Sequence, residues 1–236
     1  MSWHRRLPAR SFRFPLLFIL AAGPLLAVSG PQGIISGSIR GETGGVIPGA
    51  IVSAYRISSL PPLVFHVAAG AGGSFSIKNL PAGTYRLCAQ APGSDFLDPC
   101  RWSSSQTEIN LVNGQVSTGT VLSLKKGSVV KVRINDAGGV LDQKASKPPH
   151  ISAGVWTAKS LFCPATLTAH DASGRNFEVV IPQDAPYRFS LSAVNVQIQD
   201  EVNALVGPAG FSTTIQPNPG GGAQKTLTFT VVGPGK

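Results

Sequence analysis

The stretch LPAGTYRL, residues 80–87, contains a tight turn followed by the start of a β-strand. Pro81 presets its own φ and Gly83 tolerates conformations that other residues avoid, a combination typical of turns. Tyr85 and Leu87 then alternate with outward-facing residues, which is the period of a strand with one buried face. We expect Tyr85 to bury its ring and to use its hydroxyl to bond the preceding loop. The stretch therefore predicts a corner of a β-sandwich.

Alternating apolar and polar residues predict further strands at residues 33–40, 74–79, 84–90 and 129–135. In the second of these, Phe75 is expected to face the core, with serine and lysine opposite. The chain contains 27 glycines and 19 prolines, which separate these short runs, and no part after the N-terminal segment shows sustained helical periodicity. The pattern predicts an all-β protein.

The sequence also repeats itself in order. Residues 42–47 (ETGGVI) return as 136–141 (DAGGVL), and the LP and YRL parts of residues 80–87 return as IP and YRF within 181–189. The offset drifts slowly along the chain, as small loop insertions would cause. We predict two tandem β-sandwiches of prealbumin or immunoglobulin type, of about seven strands each, at residues 31–126 and 127–236.

Residues 1–29 have the pattern of a cleavable secretory signal peptide. A segment rich in arginine precedes an apolar run at residues 14–28, and Ala27 and Ser29 fit positions −3 and −1 of a cleavage site. The run is interrupted by Pro24 and is short for a membrane span. We predict a secreted or periplasmic protein with no membrane span after signal removal; an uncleaved anchor helix is the alternative.

Charge gives little indication of a nucleic-acid partner. Four of the twenty Lys and Arg residues lie in the signal segment, so the net charge falls from +9 to +5 without it. The remaining basic residues are scattered and are not interleaved with aromatic residues. This distribution favours solubility over nucleic-acid binding.

Two motifs of the first repeat are similar to a known family. They are the Pro-Gly-Ala turn that enters a strand at residues 48–52 and the Leu-Pro-x-Gly-x-Tyr corner at residues 80–85. Residues 33–125 resemble the carboxypeptidase regulatory-like domain, a transthyretin-like sandwich related to Cna-B and starch-binding-like folds. The resemblance implies a structural, non-catalytic role for Pro48, Gly49, Phe75, Pro81, Gly83 and Tyr85. The zinc domain of the metallocarboxypeptidases is a separate unit, and its His-x-x-Glu motif is missing here.

Three cysteines are present. Cys88 should lie on the outer face of its strand, and Cys100 follows a loop rich in turn formers. In an oxidising compartment we predict a disulfide between them, with Trp102 packed against it. Cys163 is left as a buried free thiol, with intermolecular pairing as the alternative.

No constellation for catalysis or metal binding emerges from the sequence. His66, His150 and His170 are not spaced as metal ligands with a Cys, His, Asp or Glu; the adjacent His170 and Asp171 would diverge on a strand. Neither a nucleophile elbow nor a phosphate loop occurs. We therefore expect no catalytic residue, no metal and no cofactor, and predict that the protein is not an enzyme.

The leading hypothesis is a secreted, non-catalytic binding or structural module, with carbohydrate as one ligand class because related folds bind starch. Sugar binding needs exposed aromatic platforms, and Trp156 is the first candidate because it lies opposite Ile151 and Val155 in its strand. Trp102 is the second candidate. The alternative for Trp156 is packing between the sheets or under a loop. The alternative function is an accessory subunit that binds protein at a cell-surface or outer-membrane assembly; a hydrolase is the third.

Overall fold

The computed structural model describes residues 31–57, 60–61, 63–102, 106–144, 146–219, 222–223 and 226–235. The predicted signal peptide, residues 1–29, lies outside the described residues. Within the described part of the chain, no helix has the length and apolar character needed to cross a bilayer. The protein is all-β and consists of two tandem β-sandwiches.

The first sandwich has two sheets, ordered β4-β1-β7 and β3-β2-β5-β6. Strand β1 pairs antiparallel with β4 and parallel with β7, and the second sheet is antiparallel throughout. The apolar residues of the alternating runs line the space between the sheets. The strands are β1 (Gly33–Gly41), β2 (Ile51–Arg56), β3 (Val64–Ala68), β4 (Ser74–Leu80), β5 (Gly83–Gln90), β6 (Thr107–Leu111) and β7 (Val116–Leu124).

The corner between β4 and β5 is closed by Tyr85. Its ring is fully buried, and its hydroxyl donates a hydrogen bond of 2.7 Å to the carbonyl of Pro81. Burial raises the pKa of the Tyr85 phenol, and the positive charge of Arg56 opposes that shift. Gly83 has a φ of +154°, and a Cβ there would come within 2.6 Å of Nε of Arg56. The glycine thus makes room for the arginine that donates to the carbonyl of Ala82.

The other family motifs also lie in structural positions. Pro48 and Gly49 form the turn that enters β2, where Gly49 has a φ of +71° and donates its N–H to the carbonyl of Ala69. Phe75 lies on the inner face of β4 and is 5% exposed.

The second sandwich repeats the strand order of the first. Its sheets contain the series β12-β8-β17 and β10-β9-β13-β15, and β8 again pairs parallel with the last strand. Strands β11 and β14 extend the first of these sheets at its two edges, and the two-residue β16 pairs with the start of β8. The strands are β8 (Ser128–Asn135), β9 (His150–Trp156), β10 (Phe162–Pro164), β11 (Thr166–Asp171), β12 (Gly174–Ile181), β13 (Tyr187–Val194), β14 (Val196–Gln199), β15 (Phe211–Ile215), β16 (Gly222–Ala223) and β17 (Leu227–Pro234).

A segment between β5 and β6 lies at the junction of the two sandwiches. It includes the one-turn helix α1 (Pro99–Trp102). The amide of Gly127 donates to the carbonyl of Asp95 at 2.7 Å, and the Asp95 carboxylate pairs with Lys126 at 3.0 Å. The short connection after β7 is therefore paired with this segment rather than free in solvent. The division of the chain at residues 126 and 127 stays a prediction.

The disulfide between Cys88 and Cys100 is confirmed. Cys88 lies outside the inter-sheet core, as expected for the outer face of β5, yet it is 5% exposed. The reason is that α1 contacts this face of β5 and brings Cys100 with it. The expected packing of Trp102 on the bridge stays a prediction; its ring contact is with Tyr187 of the second sandwich. A long-range contact of this kind has no local sequence signal.

Candidate functional site

The outer face of the sheet β10-β9-β13-β15 carries a compact group of polar and aromatic side chains. Strands β9 and β13 are its central strands. Because Val155, Phe189 and Leu191 point into the core, the residues that alternate with them point outward. We call the outward group the aromatic–serine face; it consists of Ser152, Trp156, Phe162, Arg188, Ser190, Ser192 and Ser212.

The strand register brings these side chains together. Trp156 lies opposite Arg188 on one side and opposite Phe162 on the other. Ser190 is paired with Ser212 on the neighbouring strand β15. Directly opposed residues of antiparallel strands have neighbouring side chains on the same face. The result is an aromatic and cationic row that crosses the sheet beside a row of hydroxyl groups.

Three contacts hold the ring of Trp156. The guanidinium of Arg188 lies over it at 4.9 Å from the ring centroid. The ring of Phe162 is 5.3 Å away and tilted by 55°. The indole N–H donates a hydrogen bond of 3.0 Å to Oγ of Ser190. Trp156 is thus half-buried and oriented on the sheet surface, outside the inter-sheet core.

Gly154 allows the second aromatic ring to reach this position. A Cβ on Gly154 would lie 2.3 Å from the carbonyl oxygen of Cys163 and 2.7 Å from the ring of Phe162. Neither distance is compatible with a side chain, so a glycine here lets β10 and the Phe162 ring approach closely. The backbone of β9 at Gly154 therefore packs against the Phe162 ring, which in turn contacts Trp156.

The aromatic–serine face lines a depression of about 470 Å³, together with three apolar residues. Among the lining residues that the structure describes, Arg188 alone carries a charge, and four serines supply hydroxyl groups. Aromatic rings can pack on the C–H faces of a ligand, while hydroxyl and guanidinium groups bond its oxygen atoms. The depression is thus suited to a polyhydroxylated ligand. Its volume falls in the usual range for small-ligand sites, about 300–1,000 Å³.

The family comparison concerns the other half of the chain. Residues 34–125 match the carboxypeptidase regulatory-like domain family. This match confirms the resemblance of the first sandwich to that family. No curated protein matches the chain.

Solved structures match this chain at low identity. The minor pilin of Streptococcus agalactiae is 15% identical over 87% of this chain and 98% of its own, with a TM-score of 0.35. A streptococcal ancillary pilin is 11% identical over 84% of this chain and 62% of its own, with a TM-score of 0.37. The Bacillus anthracis TIE protein is 15% identical over 86% of this chain, with a TM-score of 0.34, and this chain spans 34% of its length. Likeness at this level carries no argument about function.

The first sandwich contributes the second tryptophan candidate to its junction with the second sandwich. Trp102 packs edge-on against Tyr187, with 5.3 Å between ring centroids. It borders a cleft of about 480 Å³ that also contacts Cys100 and Leu122 on one side and Pro182 on the other. Because its ring packs against the core of the second sandwich, Trp102 is an interface residue between the two sandwiches in this structure.

The remaining thiol is Cys163, which is 4% exposed. Burial raises its pKa; the positive charge of Arg101 opposes that shift and the negative charge of Asp98 adds to it. These two charges belong to the first sandwich, so the segment between β5 and β6 contributes to the electrostatic environment of Cys163. Cys88, Asp98 and Cys100 offer donor atoms within 4.8 Å of one another, but the two sulfurs are joined in the disulfide and are not thiolates.

His170 has a partner that sequence spacing missed. Its Nε2 lies 2.9 Å from the carboxylate of Asp142, which also accepts a hydrogen bond of 2.7 Å from Arg175. The hydrogen bonds from Arg175 and then His170 lower the pKa of Asp142. This exposed cluster joins a 3-10 turn (Val140–Asp142) to the hairpin of β11 and β12.

Trp156 is a candidate on the sequence alone, but its companions on the face are not. A signal for Arg188, Ser190 and Ser192 exists, since they alternate with Tyr187, Phe189 and Leu191 along β13. Their proximity to Trp156 depends on the pairing of β13 with β9, which alternation alone does not specify.

Proposed function

We propose that this chain is an exported, non-catalytic binding protein that holds a carbohydrate on the aromatic–serine face. The observation that carries the proposal is Trp156, oriented by Phe162 and Arg188 at the edge of a depression with four serine hydroxyl groups. The C–H faces of a sugar ring pack well on aromatic side chains, and its hydroxyl groups match donors and acceptors such as serine.

Export is supported by two observations. Residues 1–29 have the composition of a signal peptide, and the disulfide between Cys88 and Cys100 belongs to an oxidising compartment. A binding role rather than a catalytic role is supported by the lining of the depression. Its described residues offer serines but no histidine or carboxylate that would activate one of them as a nucleophile.

The experiment is a glycan array with the mature protein, followed by titration of each positive glycan. Trp156→Ala should weaken binding about tenfold or more, because it removes the aromatic surface while leaving the core intact. Tyr55→Ala is the matched control, since it removes a half-exposed aromatic ring from the first sandwich. Both variants must unfold near the temperature of the parent. Binding that survives Trp156→Ala unchanged would remove this residue from the site.

A protein partner at a strand edge is the second candidate function. Among the strands that the structure describes, β11 pairs only with β12, and all six of its residues are exposed. Such an edge presents unpaired backbone groups to which an extended segment can add. Thr168→Pro would remove a backbone donor from this strand. It should abolish capture of a partner from surface extracts while glycan binding persists; an unchanged capture would exclude the edge.

A further inference from the structure

We propose that the carbohydrate is acidic and that Arg188 receives its carboxylate. This inference rests on the proposed function, because it assigns a chemical class to the ligand of the same face. Two observations support it. The Arg188 guanidinium has no hydrogen-bond acceptor among the described residues, and the described lining of the depression contains no acidic side chain.

Arg188 differs from the other arginines that the structure describes. Each of the others has a carbonyl or carboxylate partner. Arg101 forms an ion pair with Asp98, and the rest donate hydrogen bonds: Arg40 to Gly44, Arg56 to Ala82, Arg86 to Glu108, Arg133 to Asp171, and Arg175 to Asp142. Within the described residues, Arg188 has a ring contact with Trp156 and no hydrogen-bond acceptor. Its N–H donors are therefore open to a ligand.

The contact with Trp156 also prepares Arg188 for binding. The guanidinium lies over the ring at 4.9 Å, and a contact through the π face uses none of its five N–H donors. Since Trp156 is itself held by Phe162 and Ser190, the arginine rests on an ordered surface. A preorganised side chain loses less conformational entropy when it binds.

The positive charge of Arg188, with no acidic side chain in the described lining, favours an anionic ligand. The described lining of the depression contains no Asp or Glu that would compete for Arg188 or repel an anion. Arginine bonds a carboxylate through two parallel N–H donors, and such charge-assisted pairs are stronger than neutral hydrogen bonds. The hydroxyl groups of Ser190, Ser192 and Ser212 lie on the same face to meet the neutral oxygens of the sugar. A uronic-acid residue combines the carboxylate, the hydroxyl groups and a C–H face for Trp156.

The test compares each acidic polysaccharide with its own methyl ester, which keeps the sugar and removes the charge. Polygalacturonate, alginate and hyaluronate, as free acids and as esters, are titrated against the mature protein. We expect at least one free acid to bind about tenfold or more tightly than its ester. Arg188→Gln should abolish that difference, and Arg188→Lys should restore only part of it because lysine lacks the planar pair of donors.

The control variant is Lys78→Gln, which removes an exposed charge from β4 of the first sandwich. It should leave the preference for the free acid intact. Equal losses in Lys78→Gln and Arg188→Gln would overturn the assignment, because the preference would then follow net charge. Dextran sulfate that binds as tightly as the best uronate, with the same dependence on Arg188, would overturn the choice of carboxylate.

Two further outcomes separate this inference from the proposed function. A neutral glycan that binds through Trp156, with no free acid favoured, would overturn the acidic ligand and leave carbohydrate binding standing. Failure of every free acid and of every glycan on the array would overturn both.

Discussion

The indole ring of Trp102 lies edge-on to the ring of Tyr187, 5.3 Å between centroids, and joins the first sandwich to the second. Trp102 ends the short helix that the Cys88–Cys100 disulfide ties to β5. Tyr187 begins β13 and donates its hydroxyl to Asp184 at 2.8 Å. The disulfide therefore links the first sandwich to the short helix, and the aromatic contact links that helix to the second sandwich.

Trp102→Ala should weaken the contact between the two sandwiches. The substitution removes an aromatic pair and half-buried surface, and we expect it to lower the free energy of unfolding by about 2 kcal/mol. Trp102→Phe, which keeps an aromatic ring, should recover a part of this loss. Urea unfolding measures the change, and small-angle scattering of the folded variant should show a larger radius of gyration. A variant as compact and as stable as the parent would show that the contact does not hold the two sandwiches together.

Loss of the disulfide should destabilise the protein by about 2–3 kcal/mol in the chain-entropy view, because it closes a loop with a sequence separation of 12. The variant pair Cys88→Ala and Cys100→Ala tests this by urea unfolding, with Cys163→Ala as the control that retains the bridge. Alkylation of the unfolded parent without reductant should add one group, at Cys163. Three added groups would mean that the bridge is absent in solution.

Gly154→Ala should disturb the aromatic–serine face. Its methyl group would meet the Cys163 carbonyl and the Phe162 ring, so β10 must shift, at a cost of about 1–3 kcal/mol. Gly207→Ala in the same sandwich has no atom within 4 Å of the new methyl group and is the matched control. Thermal unfolding measures the loss of stability, and Trp fluorescence measures the disturbance of the aromatic–serine face. Equal stability of both variants would show that Phe162 does not lie against Gly154.

Alkaline pH should weaken the fold through two tyrosines. Burial raises the pKa of Tyr85, and burial together with the Asp184 hydrogen bond raises the pKa of Tyr187. A group whose folded pKa is raised contributes stability that is present below its unfolded pKa, near 10, and lost as pH rises toward the folded pKa. The free energy of unfolding should therefore fall above about pH 10. Tyr187→Phe should flatten this fall; an identical slope would contradict the shifted pKa of Tyr187.

Features that depend on near neighbours in the chain could be predicted from the amino-acid sequence. Alternation located strands such as β4 and β8, and the chemistry of proline and glycine located the corner before Tyr85. The disulfide was predictable because its cysteines are close in sequence and flank a loop of turn formers.

The contacts between strand faces could not be predicted in the same way, because they depend on the folded structure. Alternation places Trp156 and Arg188 on outer faces, but their contact needs β9 and β13 to pair in one register across more than thirty residues. The contact of Trp102 with Tyr187 is likewise between residues far apart in sequence. The physical reason is that period-two patterning assigns a side chain to the core or to solvent. The identity of its neighbour follows from strand pairing and from the packing of one sandwich on the other.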